Sequence, residues 1–236
     1  MPNLSIRSYQ KELLDGKGLS FEDIKRNMQE LEFINHYLGG HAITTLGIRK
    51  IVNRHQTDYS PSHMLHIAEI GCGGGDNLKA INRWCLSHHI PVQFTGIDIN
   101  NECITYAREN AKDINADWIT SDYREVKFKS QPDIIFSSLF CHHFTDEELI
   151  HQLQWMKQAS RGFFINDLHR HPLAYQSIKI LTSLFSKSYL VKHDAPLSVW
   201  RGFTRNEWVS LLEAAEIKNF SIEWKWAFRW LIYAEG

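Results

Sequence analysis

One short stretch of the sequence is rich in glycine. Residues 68–76 read AEIGCGGGD, with glycines at 71, 73, 74 and 75. A tight turn needs one or two glycines, so a longer glycine loop indicates that another molecule lies against the backbone. An apolar segment precedes this loop and a helical pattern follows it. A strand that ends in a glycine loop and opens into a helix is typical of sites for phosphates or nucleosides.

Two acidic residues lie at the ends of the next predicted strands. Asp98 ends the strand in GIDIN, and Asp122 follows the next strand in TSDY. A carboxylate at the first position can accept hydrogen bonds from two adjacent ribose hydroxyls. A carboxylate at the second position can accept a hydrogen bond from the exocyclic amine of adenine. The pattern therefore favours a nucleoside ligand.

Two nucleoside cofactors fit this outline. A nicotinamide dinucleotide needs the spacing GxGxxG, and here Asp76 takes the place of the third glycine, where its charge would repel a pyrophosphate. Glu69, just before the loop, suits a ligand with a positive amine or sulfonium. S-adenosylmethionine carries both cations and no phosphate, so the residues favour it over the dinucleotide.

Four segments together resemble the motifs of class I S-adenosylmethionine-dependent methyltransferases. EIGCGGGD resembles the first motif, GIDIN the second, SDYRE the third and PDIIFSSLFCHHFTDEEL the fourth. They stand in the right order and cover roughly residues 64–165. The resemblance implies a methyltransferase that uses S-adenosylmethionine.

The resemblance also implies a role for individual residues. Those expected at the methionine end of the cofactor are Glu69, Gly71 and Gly73. Those expected at the ribose and adenine are Asp98, Ile99, Asp122 and Tyr123. Ser138, at the end of the fourth strand, is expected to face the sulfonium, and the remaining members of the predicted cofactor site are Cys72 and Asp76.

The elements that position these residues alternate between strands and helices. Short apolar segments such as MLHIAEIG, PVQFTGID and DIIFSSLF are separated by helical patterns of about 10–15 residues, which predicts βαβ units and a parallel sheet. Two further strands close the chain as a hairpin. The predicted fold is α/β, a doubly wound Rossmann-like seven-stranded sheet with an antiparallel last strand.

The remaining segments predict two additions to this sheet. Residues 1–60 show helical periodicity and are expected to form an N-terminal helical cap, which leaves 61–236 as the cofactor-binding domain. Residues 170–203 interrupt the alternation with an apolar helical stretch and then an irregular loop. We expect this insertion to lie over the strand ends as a lid.

Histidines cluster near the expected methyl group. His142 and His143 follow the fourth strand, and His169 follows the fifth, so each is a candidate general base for a hydroxyl acceptor. A metal site made from these three with Asp167 is conceivable, but the four lack the sequence spacing of metal ligands, so we predict no metal. Catalysis by alignment of the two substrates alone stays open.

Other classes of function fit the sequence less well. The net charge is −1, so the chain as a whole carries no electrostatic signature of a nucleic-acid-binding protein, and SSLF stands where adenine-methylating enzymes carry a proline-rich motif. No apolar run is long enough to span a membrane. Four scattered cysteines and the absence of a signal-peptide pattern predict a cytoplasmic protein. The oligomeric state is left open.

A narrower resemblance concerns the methyl acceptor. LEFINHYLGGH, INDLHRHPLAY and HDAPLSVWRGFT are similar to segments of bacterial methyltransferases associated with polyketide and aromatic-lipid biosynthesis. This implies O-methylation of a small hydroxylated aromatic, quinone or polyketide. N- or C-methylation of another small molecule, or a non-catalytic module that binds the cofactor, are the alternatives.

Overall fold

A single sheet of seven strands organises the chain. The computed structural model describes residues 2–16, 18–55, 59–60 and 62–235. The strand order is β3-β2-β1-β4-β5-β7-β6, and β7 runs antiparallel to both of its neighbours. The strands are β1 Leu65–Ile70, β2 Val92–Asp98, β3 Ala116–Thr120, β4 Ile134–Ser138, β5 Gly162–Leu168, β6 Phe220–Lys225 and β7 Arg229–Glu235. The predicted fold class is thereby confirmed.

Eight α-helices flank the sheet within the described residues. They are α1 Phe21–Tyr37, α2 Gly40–His55, α3 Asp76–Ser87, α4 Asn101–Asn110, α5 Asp146–Ala159, α6 Pro172–Phe185, α7 Tyr189–Arg201 and α8 Arg205–Ala214. Several begin where the sequence places a cap, because a hydroxyl satisfies a free backbone N–H there. Ser20 accepts a hydrogen bond from the N–H of Asp23, and Thr204 accepts one from that of Glu207.

The core has a layer on each face of the sheet. On one face α2 and α3 pack against strand residues, and the rings of Phe136 and Phe164 stack 4.7 Å apart. On the other face α5 and α8 pack against the sheet, and Trp208 of α8 is fully buried there. Alternating residues of β1, β4 and β5 therefore point to opposite layers, as a doubly wound sheet requires. Because α2 is part of this core, it does more than cap the domain.

The segment between β5 and α8 differs from its prediction in one respect. Its second half, predicted as an irregular loop, forms helix α7, with Pro196 inside it. Proline removes one backbone donor from a helix. Tertiary packing outweighs that loss, because Leu190, Val191 and Val199 are all buried. The boundaries of the cap and of the lid stay predictions.

An extended N-terminal strap, residues 2–16, lies across α7. The guanidinium of Arg7 donates to the carbonyls of Arg201 and Phe144 at 2.9 and 2.7 Å. The carboxylate of Asp194 accepts hydrogen bonds from the N–H groups of Leu13 and Leu14 at 2.8 and 3.0 Å. These contacts fix the strap and bring its acidic residues to the carboxyl ends of the strands.

Candidate active site

A cavity of 1760 Å³ lies outside the carboxyl ends of the parallel strands. Gly71, Asp98, Ser138 and Leu168 reach its wall from the ends of four different strands. The N-terminal strap, α1, α6 and α7 supply the other walls. Open α/β sheets bind their ligands in this position.

The glycine loop has a backbone that only glycine adopts easily. Gly71 and Gly73 have φ angles of +67° and +50°. A Cβ on Gly71 would lie 2.2 Å from the ring of Phe140, which is closer than any real contact. A Cβ on Gly73 would meet only the sulfur of Met28, at 3.2 Å. The loop therefore leaves its backbone open to a ligand in the cavity.

Asp98 ties the glycine loop to the end of β2. Its Oδ2 accepts a hydrogen bond from the N–H of Gly73 and its Oδ1 from that of Asn100, both at 2.9 Å. Burial raises the pKa of this carboxyl, although these N–H groups oppose the shift. Each oxygen keeps a second lone pair, so the carboxylate can still accept from two ribose hydroxyls. Next to it, Ile99 is 74% exposed and lines the cavity.

Asp122 and Tyr123 line the cavity at the predicted adenine end. The carboxylate of Asp122 is already engaged, because it pairs with the Arg124 side chain and caps a short 3₁₀ helix, Tyr123–Glu125. The hydrogen bond from Arg124 lowers the pKa of Asp122. Tyr123 is buried, with its ring edge-on to Trp155.

The other predicted cofactor residues divide into two groups. Cys72, Asp76 and Ser138 line the cavity. Glu69 does not, because it lies fully buried and accepts a hydrogen bond from Asn77, which does line the cavity. Burial raises the pKa of Glu69 well above its usual range. The predicted contact between Glu69 and the methionine end stays a prediction, and in this structure Asn77 lies between Glu69 and the cavity.

His142 forms a buried pair with Asp167. Its Nδ1 lies 2.8 Å from Oδ1 of Asp167, and its own side chain is 3% exposed. Burial opposes the charged imidazolium, but Asp167 and Glu12 outweigh burial and raise the pKa of His142 to about 9. His142 is therefore less accessible to an acceptor than its neighbour His143, whose side chain is 19% exposed.

His143 is the histidine of the pair that is more open to the cavity. Its side chain is 19% exposed, and its Nδ1 lies 3.0 Å from Oδ1 of Asp15. Its Nε2 lies 3.7 Å from Oε2 of Glu12. Both acids come from the N-terminal strap, and both line the cavity. Neither acid could be predicted as a site residue from the sequence, because nothing in the local pattern KELLDG distinguishes it from an acid on a solvated surface.

His169, predicted to line the same crevice as His142 and His143, does not line this cavity. Its Nδ1 accepts a hydrogen bond from Nε1 of Trp224 at 3.2 Å, and its ring packs on Trp230. The physical reason is that its backbone N–H bonds to the carbonyl of Phe228, so the chain follows the β6–β7 hairpin here.

Comparison with known proteins agrees with this architecture. Residues 67–162 match the family model described as a methyltransferase domain. That segment contains the glycine loop, Asp98, Asp122 and His143. By this match the segment is a methyltransferase domain. No curated protein matches the sequence.

Solved structures share the fold at low sequence identity. The plantazolicin methyltransferase BpumL in complex with SAH has a TM-score of 0.67 and 18% identity, over 89% of this chain and 90% of that one. Human N-acetylserotonin methyltransferase in complex with SAM has a TM-score of 0.62 and 17% identity, over 92% and 56%. The CMeT domain of the citrinin polyketide synthase has a TM-score of 0.54 and 12% identity, over 75% and 47%.

Replacement of Asp98 by alanine should weaken binding of S-adenosylmethionine. Two ribose hydrogen bonds and the tie to Gly73 are lost, at a cost of about 1–3 kcal/mol, or roughly 5- to 150-fold in Kd. Isothermal titration calorimetry measures this directly. Asp113→Ala, at an exposed acid outside the cavity, is the matched control. Wild-type affinity in Asp98→Ala would show that this carboxylate does not hold the ribose.

Proposed function

We propose that this chain transfers a methyl group from S-adenosylmethionine to an oxygen atom of a small hydroxylated acceptor, of the aromatic, quinone or polyketide class. The observation that supports this most is that one cavity holds both halves of such a site. Gly71 and Asp98 lie on one wall, and Glu12, Asp15 and His143 lie on another. When bound, S-adenosylmethionine supplies a methyl group that a positive sulfur has activated.

The cofactor half of the site is assigned to backbone and carboxylate groups. Gly71 and Gly73 let the cofactor approach the main chain, since neither has a side chain and both have positive φ angles. Asp98 would accept from the ribose hydroxyls. Ile99 offers an exposed apolar side chain that can cover one face of adenine.

The acceptor half of the site is mostly apolar. Helix α6 contributes Leu173, Ile180 and Leu181, which line the cavity although each remains largely exposed. Phe140 and Phe144 add aromatic surface at the end of β4. Pockets that bind one drug-sized ligand have volumes of roughly 300–1,000 Å³. The cavity, at 1760 Å³, therefore has room for the cofactor together with a second, apolar molecule.

The acidic and imidazole groups support oxygen as the acceptor atom. A hydroxyl must lose its proton to become a good nucleophile, and a histidine held by a carboxylate is suited to that task. His143, oriented by Asp15, is the histidine best placed for it. The insertion and the N-terminal strap would close over the two substrates and hold them aligned for transfer.

Two measurements test the proposal. The full chain should release S-adenosylhomocysteine when incubated with S-adenosylmethionine and hydroxylated aromatics or quinones, and it should bind no reduced nicotinamide dinucleotide in calorimetry. Turnover with amines or enols alone would replace O-methylation by N- or C-methylation. Binding of S-adenosylmethionine without turnover of any acceptor would favour a non-catalytic module.

A further inference from the structure

Three side chains at the acceptor end of the cavity point their ligand atoms at one another. Glu12 comes from the N-terminal strap, and His142 and His143 come from the 3₁₀ helix Cys141–His143 after β4. One ligand atom of each lies within 4.8 Å of the other two. Nε2 of His142 lies 3.5 Å from Oε1 of Glu12, and Nε2 of His143 lies 3.7 Å from Oε2.

These separations are longer than good hydrogen bonds. A hydrogen bond from an imidazole N–H to a carboxylate is about 2.7–2.9 Å long. Ligand atoms that share one tetrahedral zinc ion, each about 2.0–2.1 Å from it, are about 3.4 Å apart. The two separations from Glu12 are closer to the spacing of ligands around one cation than to the length of a direct hydrogen bond.

The surroundings of the three groups are those of a metal site. In metal centres, a ligating histidine almost always donates its other ring N–H to a carboxylate, carbonyl or water. Both histidines have a carboxylate at Nδ1: Asp167 at 2.8 Å for His142, and Asp15 at 3.0 Å for His143. The ligand carboxylate is held as well, because Oγ of Ser198 donates to Oε1 of Glu12 at 2.8 Å.

The charge and access of the cluster also suit a cation. Three carboxylates surround the two imidazoles. Two arginines lie beside the cluster. Nε of Arg201 lies 4.0 Å from Glu12 but donates at 2.9 Å to the carbonyl of His142, to which Arg7 also donates, at 3.4 Å. The three ligand residues all line the cavity, so an ion can enter from it and keep an open position towards it.

We propose that Glu12, His142 and His143 bind one divalent transition-metal ion, with zinc the best match to two imidazoles and a carboxylate. Sequence spacing could not indicate this site, since the third ligand comes from the N-terminal strap. Metal binding at this site does not depend on the proposed function, but its role in the reaction rests on it. An acceptor hydroxyl that binds the ion through oxygen releases its proton to solvent water and keeps the O–H electron pair, so no oxidant or reductant is needed.

Cobalt(II) is the probe that tests the site without any turnover. The full chain, stripped with a chelator, should bind one equivalent of Co²⁺ with a visible absorption band of low-symmetry coordination, and Zn²⁺ should displace it. Glu12→Gln and His143→Gln should abolish the band. Asp15→Asn, which removes only the carboxylate behind His143, should weaken Zn²⁺ binding by about 10- to 100-fold. His169→Ala, outside the cavity, should bind metal as the wild type does.

Calorimetry with S-adenosylmethionine on each sample establishes that the variant is folded. If Glu12→Gln is not folded, Asp15→Asn takes its place as the test of the site. A wild-type chain that gives no Co²⁺ band and binds no Zn²⁺, or a folded His143→Gln that binds metal as the wild type does, overturns the metal site. Methyl transfer by a chain without metal affinity would leave the proposed function standing. Metal binding without turnover of any hydroxylated acceptor would overturn the proposed function and leave the site standing.

Discussion

Gly71→Ala is expected to lose most of its affinity for S-adenosylmethionine, by roughly 30-fold or more in Kd, equivalent to about 2 kcal/mol. The new Cβ would lie 2.2 Å from the ring of Phe140 at a backbone φ of +67°. The left-handed conformation alone costs about 1–2 kcal/mol for alanine, and overpacking adds about 1–3 kcal/mol. The loop can relieve this strain only by leaving the position in which it faces the cavity.

Two further variants separate the clash from the backbone strain. Gly39→Ala has a similar φ of +76°, but its Cβ would meet only a carbonyl oxygen at 3.6 Å, so it should bind the cofactor nearly as the wild type does. Phe140→Ala in the Gly71→Ala background should restore part of the affinity, because the side-chain atoms that block the new Cβ, Cγ at 2.5 Å among them, are gone. A folded Gly71→Ala with wild-type affinity would show that the loop is not the cradle of the cofactor.

The sheet and the cofactor loop could be predicted because their signals are local. Apolar strands that alternate with helices predicted the parallel part of the sheet. Asp98 at the end of β2 lies next to the glycine loop because neighbouring βα units bring the ends of their strands together. Glu69 shows the limit of a motif. Its position was right in sequence, but the pattern does not tell whether a carboxylate contacts a ligand or supports the residue that does.

The acceptor end could not be predicted, because its contacts join distant parts of the chain. Glu12 and Asp15 approach His142 and His143 only after the strap has been fixed by Arg7 and by Asp194 on α7. Helix α7 was itself missed, since Pro196 and a weak amphipathic pattern predict a loop. His169 follows β5 as expected, but the hairpin that holds it away from the cavity lies about 60 residues further along the chain.

His143→Ala should lower kcat by roughly 100- to 10,000-fold while the affinity for S-adenosylmethionine stays unchanged, because the imidazole acts on the acceptor and not on the cofactor. A loss of turnover is expected whether Nε2 takes the hydroxyl proton itself or binds an ion that lowers the pKa of the hydroxyl. Rates of S-adenosylhomocysteine release with the best acceptor, at saturating cofactor, measure it.

The matched control for this prediction is His169→Ala, since that imidazole lies beside the β6–β7 hairpin and lines no part of the cavity. Unchanged turnover in both variants would mean that alignment of the two substrates accounts for the catalysis. A loss of turnover in His143→Ala that is absent from His169→Ala, with a smaller loss in Asp15→Asn, would place proton removal at the strap end of the cavity. The strap would then be part of the active site, since Glu12 and Asp15 reach His143 only when it is in place.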